Sequence, residues 1–203
     1  MSFKRVDEFE NLIAEFFGAP YAIAVDSCTH GVELCLRLTE AKFMTTPTRT
    51  YPSIPMLANK LGINHKFEDY EWSEYYYITG RVIDAAVLWR PNSYVPETFM
   101  NLSFQYRKHL NLERGGMILL DNYEDYLQLK SMSYDGRSID TWLEDIPWRE
   151  QNIKAIGYHY YMTPDTAAKG IYKFNDALAT PPKLWTDKDY PDLTQMEIFN
   201  DTQ

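Results

Sequence analysis

Apolar side chains recur at helical spacing at the start of the chain. Between Phe3 and Phe17 they form one stripe with a repeat of three to four residues, which predicts an amphipathic helix. Gly18 is typical of the position just after a helix, and Pro20 prevents the helix from continuing. The apolar run Tyr21–Val25 then has the length of a buried strand. The chain is therefore predicted to open with a helix and a strand.

The alternation of strand and helix patterns continues through most of the sequence. Strands are predicted at 42–44, 65–67, 82–88 and 117–120, and helices at 30–38, 56–61, 123–132 and 163–177. In the last helix, Thr163 has the position of an N-cap and Pro164 that of the first helical residue. This order predicts an α/β fold with a largely parallel sheet, as one domain over residues 1–179. Residues 180–203 are rich in Pro, Asp and Thr and are predicted to form a C-terminal tail that is irregular or docks on another surface.

The composition argues against two classes of partner. Of the 203 residues, 45% are hydrophobic and 24% are charged, which is sufficient for a folded core. The formal net charge of −9 is unsuited to nucleic acid or an anionic membrane, because both require a basic surface. The sequence shows no signal-peptide pattern and no long apolar run, so we expect a cytoplasmic protein. Cys28 and Cys35 lie two helical turns apart, too far to bridge, and are expected to be reduced thiols.

Two polar segments follow or interrupt predicted strands. Ser27, Cys28 and Thr29 connect a strand to a helix, where backbone N–H groups and hydroxyl groups suit a phosphate. The alternative is that Ser27 or Thr29 only caps the helix. Asp84 lies among apolar residues of a predicted strand, where a buried carboxylate needs a partner such as a cationic ring nitrogen. The alternative there is a surface carboxylate on an edge strand.

Lys108 lies in a turn-rich stretch between two predicted strands. Taken alone, a lysine in such a stretch is most simply a solvated charge. Gly115 and Gly116 allow the chain to turn sharply before the strand that follows them. The aromatic segment 157–162 leads into the last predicted helix, and on its local pattern alone it is a tyrosine-rich hairpin. The four histidines show no ligand spacing, so no metal site is expected.

Six short motifs occur in a fixed order along the chain. They are the opening segment up to Ser27-Cys28-Thr29, Thr50-Tyr51-Pro52-Ser53, Ile83-Asp84-Ala85-Ala86, Ser103-Phe104 with Lys108, Glu113-Arg114-Gly115-Gly116, and Gly157-Tyr158-His159-Tyr160 with Ala167-Ala168-Lys169-Gly170. In this order they resemble the motifs of the DegT/DnrJ/EryC1/StrS family of sugar aminotransferases. The resemblance implies the type I aminotransferase fold, here as a reduced three-layer large domain with a mostly parallel sheet and little or no small C-terminal domain.

The same resemblance implies a cofactor, pyridoxal 5′-phosphate (PLP), and roles for the residues of the motifs. Lys108 would form the Schiff base with the cofactor, and Asp84 would face its pyridine nitrogen. Tyr51 would stack on the ring. The phosphate would be bound by residues of two loops, namely Ser27, Cys28, Thr29 and Ser103.

Several positions depart from the family pattern. Cys28 stands in place of a glycine in the phosphate loop, and Val87 stands where the family has His or Gln. His159 replaces an Asn that reaches the phosphate of the partner subunit, and His159 is therefore included among the cofactor-binding residues. Tyr161 replaces an Arg, and the chain is much shorter than family members. These departures leave cofactor binding better supported than turnover.

Three functions follow from these alternatives. The leading hypothesis is a homodimeric PLP-dependent aminotransferase that moves an amino group from glutamate to a keto sugar linked to a nucleotide. The second is a non-catalytic relative with a binding or assembly role, which Val87 favours and Lys108 opposes. The third is an unrelated α/β binding domain. The aromatic cluster at 70–77 is predicted to lie at a dimer seam, and the alternatives are that it covers a core edge or stacks on a base or sugar.

Overall fold

A computed structural model of the chain describes residues 3–138 and 146–199. In these residues the α-helices and β-strands follow the order α1 (Lys4–Phe17), β1 (Tyr21–Val25), α2 (Cys28–Leu38), β2 (Phe43–Pro47), α3 (Ser53–Leu61), β3 (Asn64–Glu68), β4 (Tyr76–Thr79), β5 (Val82–Asp84), β6 (Phe99–Ser103), β7 (Gly116–Leu120), α4 (Tyr123–Ser133) and α5 (Pro164–Ala179). No helix in this part of the chain has the length and hydropathy needed to span a bilayer.

The main sheet is mixed, which corrects the prediction of a mostly parallel sheet. Its strand order is β1-β7-β6-β5-β4. Only β5 and β6 pair in parallel, whereas β1–β7, β6–β7 and β4–β5 are antiparallel. The reason lies in the connections, because parallel neighbours need a crossover. A short turn at Gly80 joins β4 to β5, and residues 104–115 lead from β6 to β7 without a helix. A separate parallel pair is formed by β2 and β3.

Helices cover both faces of the main sheet, so the predicted three-layer α/β sandwich is confirmed. Along β1, Ala22 and Ala24 face the core that is shared with α1 and α5. Ile23 and Val25 face the opposite core, which is shared with α2. The strand is buried on both faces, and this explains its continuous apolar sequence.

One ion pair is buried inside this framework. The Glu10 carboxylate on α1 accepts hydrogen bonds from Lys130 Nζ on α4 at 2.5 and 2.6 Å and from the backbone N of Ala24 at 2.7 Å. The two charged side chains are each 4% exposed. Burial raises the pKa of Glu10, and the Lys130 ammonium opposes that shift. The pair thereby joins α1, α4 and β1.

Most predicted elements are present, with shifted ends. Both α2 and α3 begin a few residues earlier than predicted, and the strands β4 and β6 were not predicted. The strand predicted at 82–88 ends at Asp84, because its carboxylate accepts a hydrogen bond from the Ala86 N at 2.9 Å and starts a turn. Cys28 and Cys35 are both free thiols, as expected.

The C-terminal tail returns to the body of the protein. From 180 to 199 it contains only three-residue helical turns, the first two at Asp187–Asp189 and Leu193–Gln195. Residues 200–203 lie outside the described residues. The division of the chain at residue 179 stays a prediction.

Candidate active site

A cavity of about 140 Å³ lies at one edge of the main sheet. The chain leaves β1, β5 and β6 at this edge, which is where open α/β sheets place their ligands. The lining includes every site residue predicted from the sequence except His159. The full lining is Ser27, Cys28, Thr29, Tyr51, Ile54, Asp84, Ala86, Ser103, Gln105, Lys108, Glu113, Arg114 and Gly115.

His159 lies elsewhere on the chain. Its side chain is 69% exposed, and its Nδ1 is 3.1 Å from Oδ2 of Asp135. The role predicted for it requires the phosphate of a second subunit. That role therefore stays a prediction, and the cavity of a single chain is built without His159.

The loop between β1 and α2 caps the helix and also lines the cavity, while phosphate binding there stays a prediction. Ser27 is the N-cap of α2, because its Oγ accepts a hydrogen bond from the His30 N at 3.2 Å. Ser27 also lines the cavity, beside Thr29, whose Oγ1 is 2.6 Å from the Ser53 Oγ. The first N–H groups of a helix have no acceptor within the helix, and the helix dipole favours an anion there. Capping and anion binding are therefore compatible at this loop.

Gly116 is required at the start of β7 because β7 passes directly under this loop. A Cβ atom at Gly116 would lie 2.5 Å from the carbonyl carbon of Ser27 and still closer to the backbone N of Cys28. The sequence indicated a sharp turn at the glycine pair, and the neighbouring Gly115 has a φ of +156°. The close approach of two backbones at Gly116 was not predicted.

An acidic side chain lies next to the loop, and two neighbours balance its charge. Asp26 Oδ1 is 2.6 Å from Nδ1 of His30, and Asp26 Oδ2 accepts a hydrogen bond from Arg114 at 2.7 Å. Burial alone would raise the pKa of Asp26, but the hydrogen bonds from His30 and Arg114 outweigh it and lower that pKa. The His30 ring stacks on Tyr160 with 3.7 Å between the ring centroids. The negative charge beside the loop is therefore compensated.

Asp84 forms the floor of the cavity and is 5% exposed, so the alternative of a surface carboxylate is wrong. Its Oδ2 accepts a hydrogen bond from the Tyr76 Oη at 2.6 Å, and the Tyr76 Oη lies 2.5 Å from the Thr50 Oγ1. The Cys28 Sγ lies 3.9 Å from its Oδ1. Burial raises the pKa of Asp84, while the hydrogen bonds from Tyr76 and Ala86 oppose the shift. Three elements thus hold this carboxylate in one orientation.

Lys108 on the cavity wall is not a freely solvated charge. Burial lowers the pKa of its amine, while the carboxylate of Asp84 acts in the opposite direction. Its Nζ lies 5.3 Å from the ring centroid of Trp185, a residue of the C-terminal tail. The cavity therefore combines a partly buried amine, a buried carboxylate and the start of a helix.

Sequence reasoning missed two of the groups that complete this arrangement. Tyr76 belongs to the aromatic cluster for which a dimer seam was favoured over a core edge or a stacked base or sugar, and it and Trp72 are buried at 5% and 8% exposure. Only Tyr70 and Tyr77 of that cluster are appreciably exposed, at 38% and 46%. Trp185 lies in the predicted tail, where no pattern pointed to the cavity. Since β4 was not predicted either, no sequence pattern indicated the contact of Tyr76 with Asp84.

The chain is similar to known aminotransferases in sequence and in fold. Residues 1–91 match the profile of the DegT/DnrJ/EryC1/StrS aminotransferase family, which confirms the resemblance inferred from the motifs. None of the curated proteins matches the chain.

Solved structures share the fold. They include AtS13 from Actinomadura melliaura, with a TM-score of 0.73 and 18% identity over 86% of this chain and 60% of that one. Spr1654 from Streptococcus pneumoniae in its PLP form has a TM-score of 0.69 and 16% identity over 86% and 60%. The sugar aminotransferase CalS13 from Micromonospora echinospora has a TM-score of 0.67 and 14% identity over 86% and 61%. This chain therefore has the fold of a reduced aminotransferase large domain, and it spans about 60% of the length of the first two structures.

Proposed function

We propose that this chain is a PLP-dependent aminotransferase that transfers an amino group to a keto sugar. The observation that carries the proposal is that Lys108, Asp84 and the start of α2 line one cavity. When bound, PLP supplies an aldehyde that combines with an amine and a ring that takes up electrons. The family match of residues 1–91 and the PLP form of the similar structure Spr1654 support this choice of cofactor.

Lys108 would bind the cofactor covalently and later carry a proton. An amine reacts with a carbonyl group only when it is uncharged, and burial lowers the pKa of Lys108. A larger fraction of its Nζ is therefore neutral near neutral pH than for a solvated lysine. Once released, the same Nζ would accept and return a proton at the reacting carbon of the substrate.

Asp84 would hold the proton on the ring nitrogen of the cofactor. A buried carboxylate favours a cationic neighbour, since an unpaired charge at 5% exposure is costly. The Tyr76 hydroxyl and the Ala86 N–H fix the orientation of the carboxylate before any ligand arrives. This fixed orientation is what electrostatic stabilisation of a ligand requires.

Three hydroxyl groups of the cavity lining would bind the phosphate. Ser27, Thr29 and Ser103 line the cavity, next to the positive end of the α2 dipole. Tyr51 would cover one face of the ring, and its side chain is 47% exposed in this structure. The compensated charge of Asp26 means that the carboxylate need not repel the phosphate.

The substrates proposed are glutamate as amino donor and a keto sugar, linked to a nucleotide, as acceptor. Arg114 supports an anionic donor, because this cationic residue lines the cavity that contains Lys108. The name of CalS13, a sugar aminotransferase, supports the acceptor. We also propose a homodimer, in which His159 would reach the phosphate of the second subunit, and the mass of the purified protein in solution tests this.

An absorption spectrum with added PLP tests the cofactor assignment. We expect a band near ~420 nm that borohydride converts into a stable adduct on the peptide that contains Lys108. Lys108→Ala should abolish the band and the adduct. Lys66→Ala is the matched control, because the Lys66 side chain is 66% exposed on β3 and should leave both unchanged. The absence of a band at saturating PLP in the wild-type protein would refute the proposal.

A non-catalytic role in binding or assembly is the second candidate. One observation in its favour is Val87, three residues after Asp84. The other is that the Lys108 amine already contacts the Trp185 ring. Glutamate separates the two candidates. If glutamate removes the absorption band of the bound cofactor, the protein transaminates, whereas a band that glutamate does not change supports the binding role.

A further inference from the structure

The C-terminal tail places an aromatic ring against the amine of Lys108. The Nζ of Lys108 is 5.3 Å from the centroid of the Trp185 ring, within the range of a cation–π interaction. Lys183 also approaches this ring, at 3.9 Å, and its own amine is 2.5 Å from Asp189. The indole ring of Trp185 is therefore the part of the tail that contacts the proposed reactive group of the cavity.

The position of Trp185 is set by docking of the residues around it. The Asp187 N donates to the Trp72 O at 3.1 Å, and the Leu193 N donates to the Thr48 O at 2.8 Å. Leu193 is fully buried. These contacts connect both ends of the segment 185–193 to the body of the domain. The Trp185 ring therefore belongs to a docked segment.

The same segment reaches the partners of Asp84. Tyr190 packs on Trp72 with 5.5 Å between ring centroids, and Trp72 packs on Tyr76 at 5.1 Å. Tyr76 in turn donates to Asp84. Tyr190 and Asp84 also line one small cavity. The tail thus touches the surroundings of both proposed catalytic groups.

We propose that Trp185 is a positioning residue for Lys108, held in place by the docked segment 185–193, and that the amine must leave the indole ring before it can react with a carbonyl group. In that reaction the Nζ lone pair attacks the carbonyl carbon, and a C=N bond replaces the C=O bond. The carbonyl oxygen leaves as one water molecule, whose two protons come from the nitrogen. The biological meaning of this contact rests on the proposed function. The contact itself can be tested without any cofactor.

The charged groups around Lys108 determine how its pKa should change when the Trp185 ring is removed. Asp84, Cys28 and Arg107 are the titratable groups that act on its amine, and Lys183 adds a second cation at the Trp185 ring. The π face favours the ammonium form. Trp185→Leu keeps an apolar side chain but removes that face, so the pKa of Lys108 should fall by about 0.5 unit or more. Trp185→Phe retains a weaker π face and should give a smaller fall.

Competitive acetylation of amines in the cofactor-free full chain measures this directly. The labelling of the Lys108 peptide is followed by mass spectrometry as a function of pH, which gives the pKa and the reactivity of the one amine. We expect Lys108 to be labelled about threefold or more faster near neutral pH in Trp185→Leu, in keeping with the lower pKa. Tyr172→Leu is the matched control, because Tyr172 is 82% exposed on α5, and it should leave the labelling unchanged.

Leu193→Ala provides a second route to the same contact. This change loosens the docked segment without altering the ring, and it should also accelerate labelling of Lys108. A Lys108 titration that is the same in wild type, Trp185→Leu and Leu193→Ala would overturn the proposal. If the titration shifts but PLP never attaches to Lys108, the positioning role stands and the proposed function fails. If PLP attaches and the titration does not shift, the function stands and the positioning role fails.

Discussion

The hydrogen bond from Tyr76 to Asp84 allows a sharp test of how the carboxylate is held. Tyr76→Phe removes only the hydroxyl group that donates to Asp84 Oδ2 at 2.6 Å. The ring of Tyr76 is 5% exposed, and its packing should be kept by Phe. The change also removes the contact of this hydroxyl with the Thr50 Oγ1, but Thr50 does not titrate, so any dependence of the cost on pH reports the hydrogen bond to the carboxylate.

The expected loss depends on the charge of Asp84. A hydrogen bond to a charged group contributes about 1.5–3 kcal/mol to the free energy of unfolding, and a neutral one about 0.5–1.5 kcal/mol. The pKa of Asp84 is raised in the folded protein, so the stability linked to its protonation is present at low pH and is lost as the pH rises through that pKa. Loss of a donor to the charged form raises this pKa further. The cost of Tyr76→Phe should therefore grow with pH.

Urea denaturation at a series of pH values between about pH 5 and about pH 8 measures this cost. Tyr77→Phe is the matched control, because Tyr77 is the next residue on β4 and its side chain is 46% exposed. Its removal of a hydroxyl group should change the free energy of unfolding little at any pH. A cost for Tyr76→Phe that is independent of pH, or that equals the cost of Tyr77→Phe, would refute the reasoning.

Three further predictions concern the core and the loop. Lys130→Met leaves the buried Glu10 carboxylate without the Lys130 ammonium and should lower the free energy of unfolding by about 3–5 kcal/mol in urea denaturation. Adding Glu10→Gln should recover most of this loss. A double variant as unstable as Lys130→Met would contradict this. Gly116→Ala forces a Cβ into the loop backbone and should cost about 1–3 kcal/mol and weaken PLP binding, so an unchanged melting temperature would argue against the close approach. Burial raises the pKa of the Cys28 and Cys35 thiols, so neither should react quickly with Ellman's reagent before unfolding, and fast labelling of the native protein would show an open cavity floor.

The sequence predicted elements whose pattern is local and missed those that depend on distant partners. β1 was predicted with its observed bounds, because burial on both faces leaves an uninterrupted apolar run. β6 was missed, and it contains Asn101 in the middle of a buried strand. The Asn101 amide donates to the Ile83 O at 3.1 Å on the neighbouring strand. Asn101 finds that partner only in the folded sheet. The apolar pattern of the sequence is therefore interrupted at Asn101, although the strand is continuous there.

The candidate site shows the same difference between local motifs, which could be identified, and long-range contacts, which could not. The motifs around Ser27, Asp84 and Lys108 could be identified because each is a short stretch of sequence, and the structure brings all three to one cavity. Their mutual contacts could not be predicted. Tyr76 reaches Asp84 through a hairpin, and Trp185 reaches Lys108 through the docking of the tail, neither of which leaves a periodic signal in the sequence.

The pairing of β1 with β7 has a consequence for how the protein is made. Val25 pairs with Gly116, so the first strand of the chain finds its neighbour only after the ribosome has released more than half of the sequence. Until then, β1 and β6 both present unpaired apolar edges, which are prone to association. The segment 1–91, which the family profile matches, contains β1 but lacks β7, the strand that pairs with β1 among the described residues. We therefore expect this segment to be recognisable as a relative by its sequence but not to fold by itself.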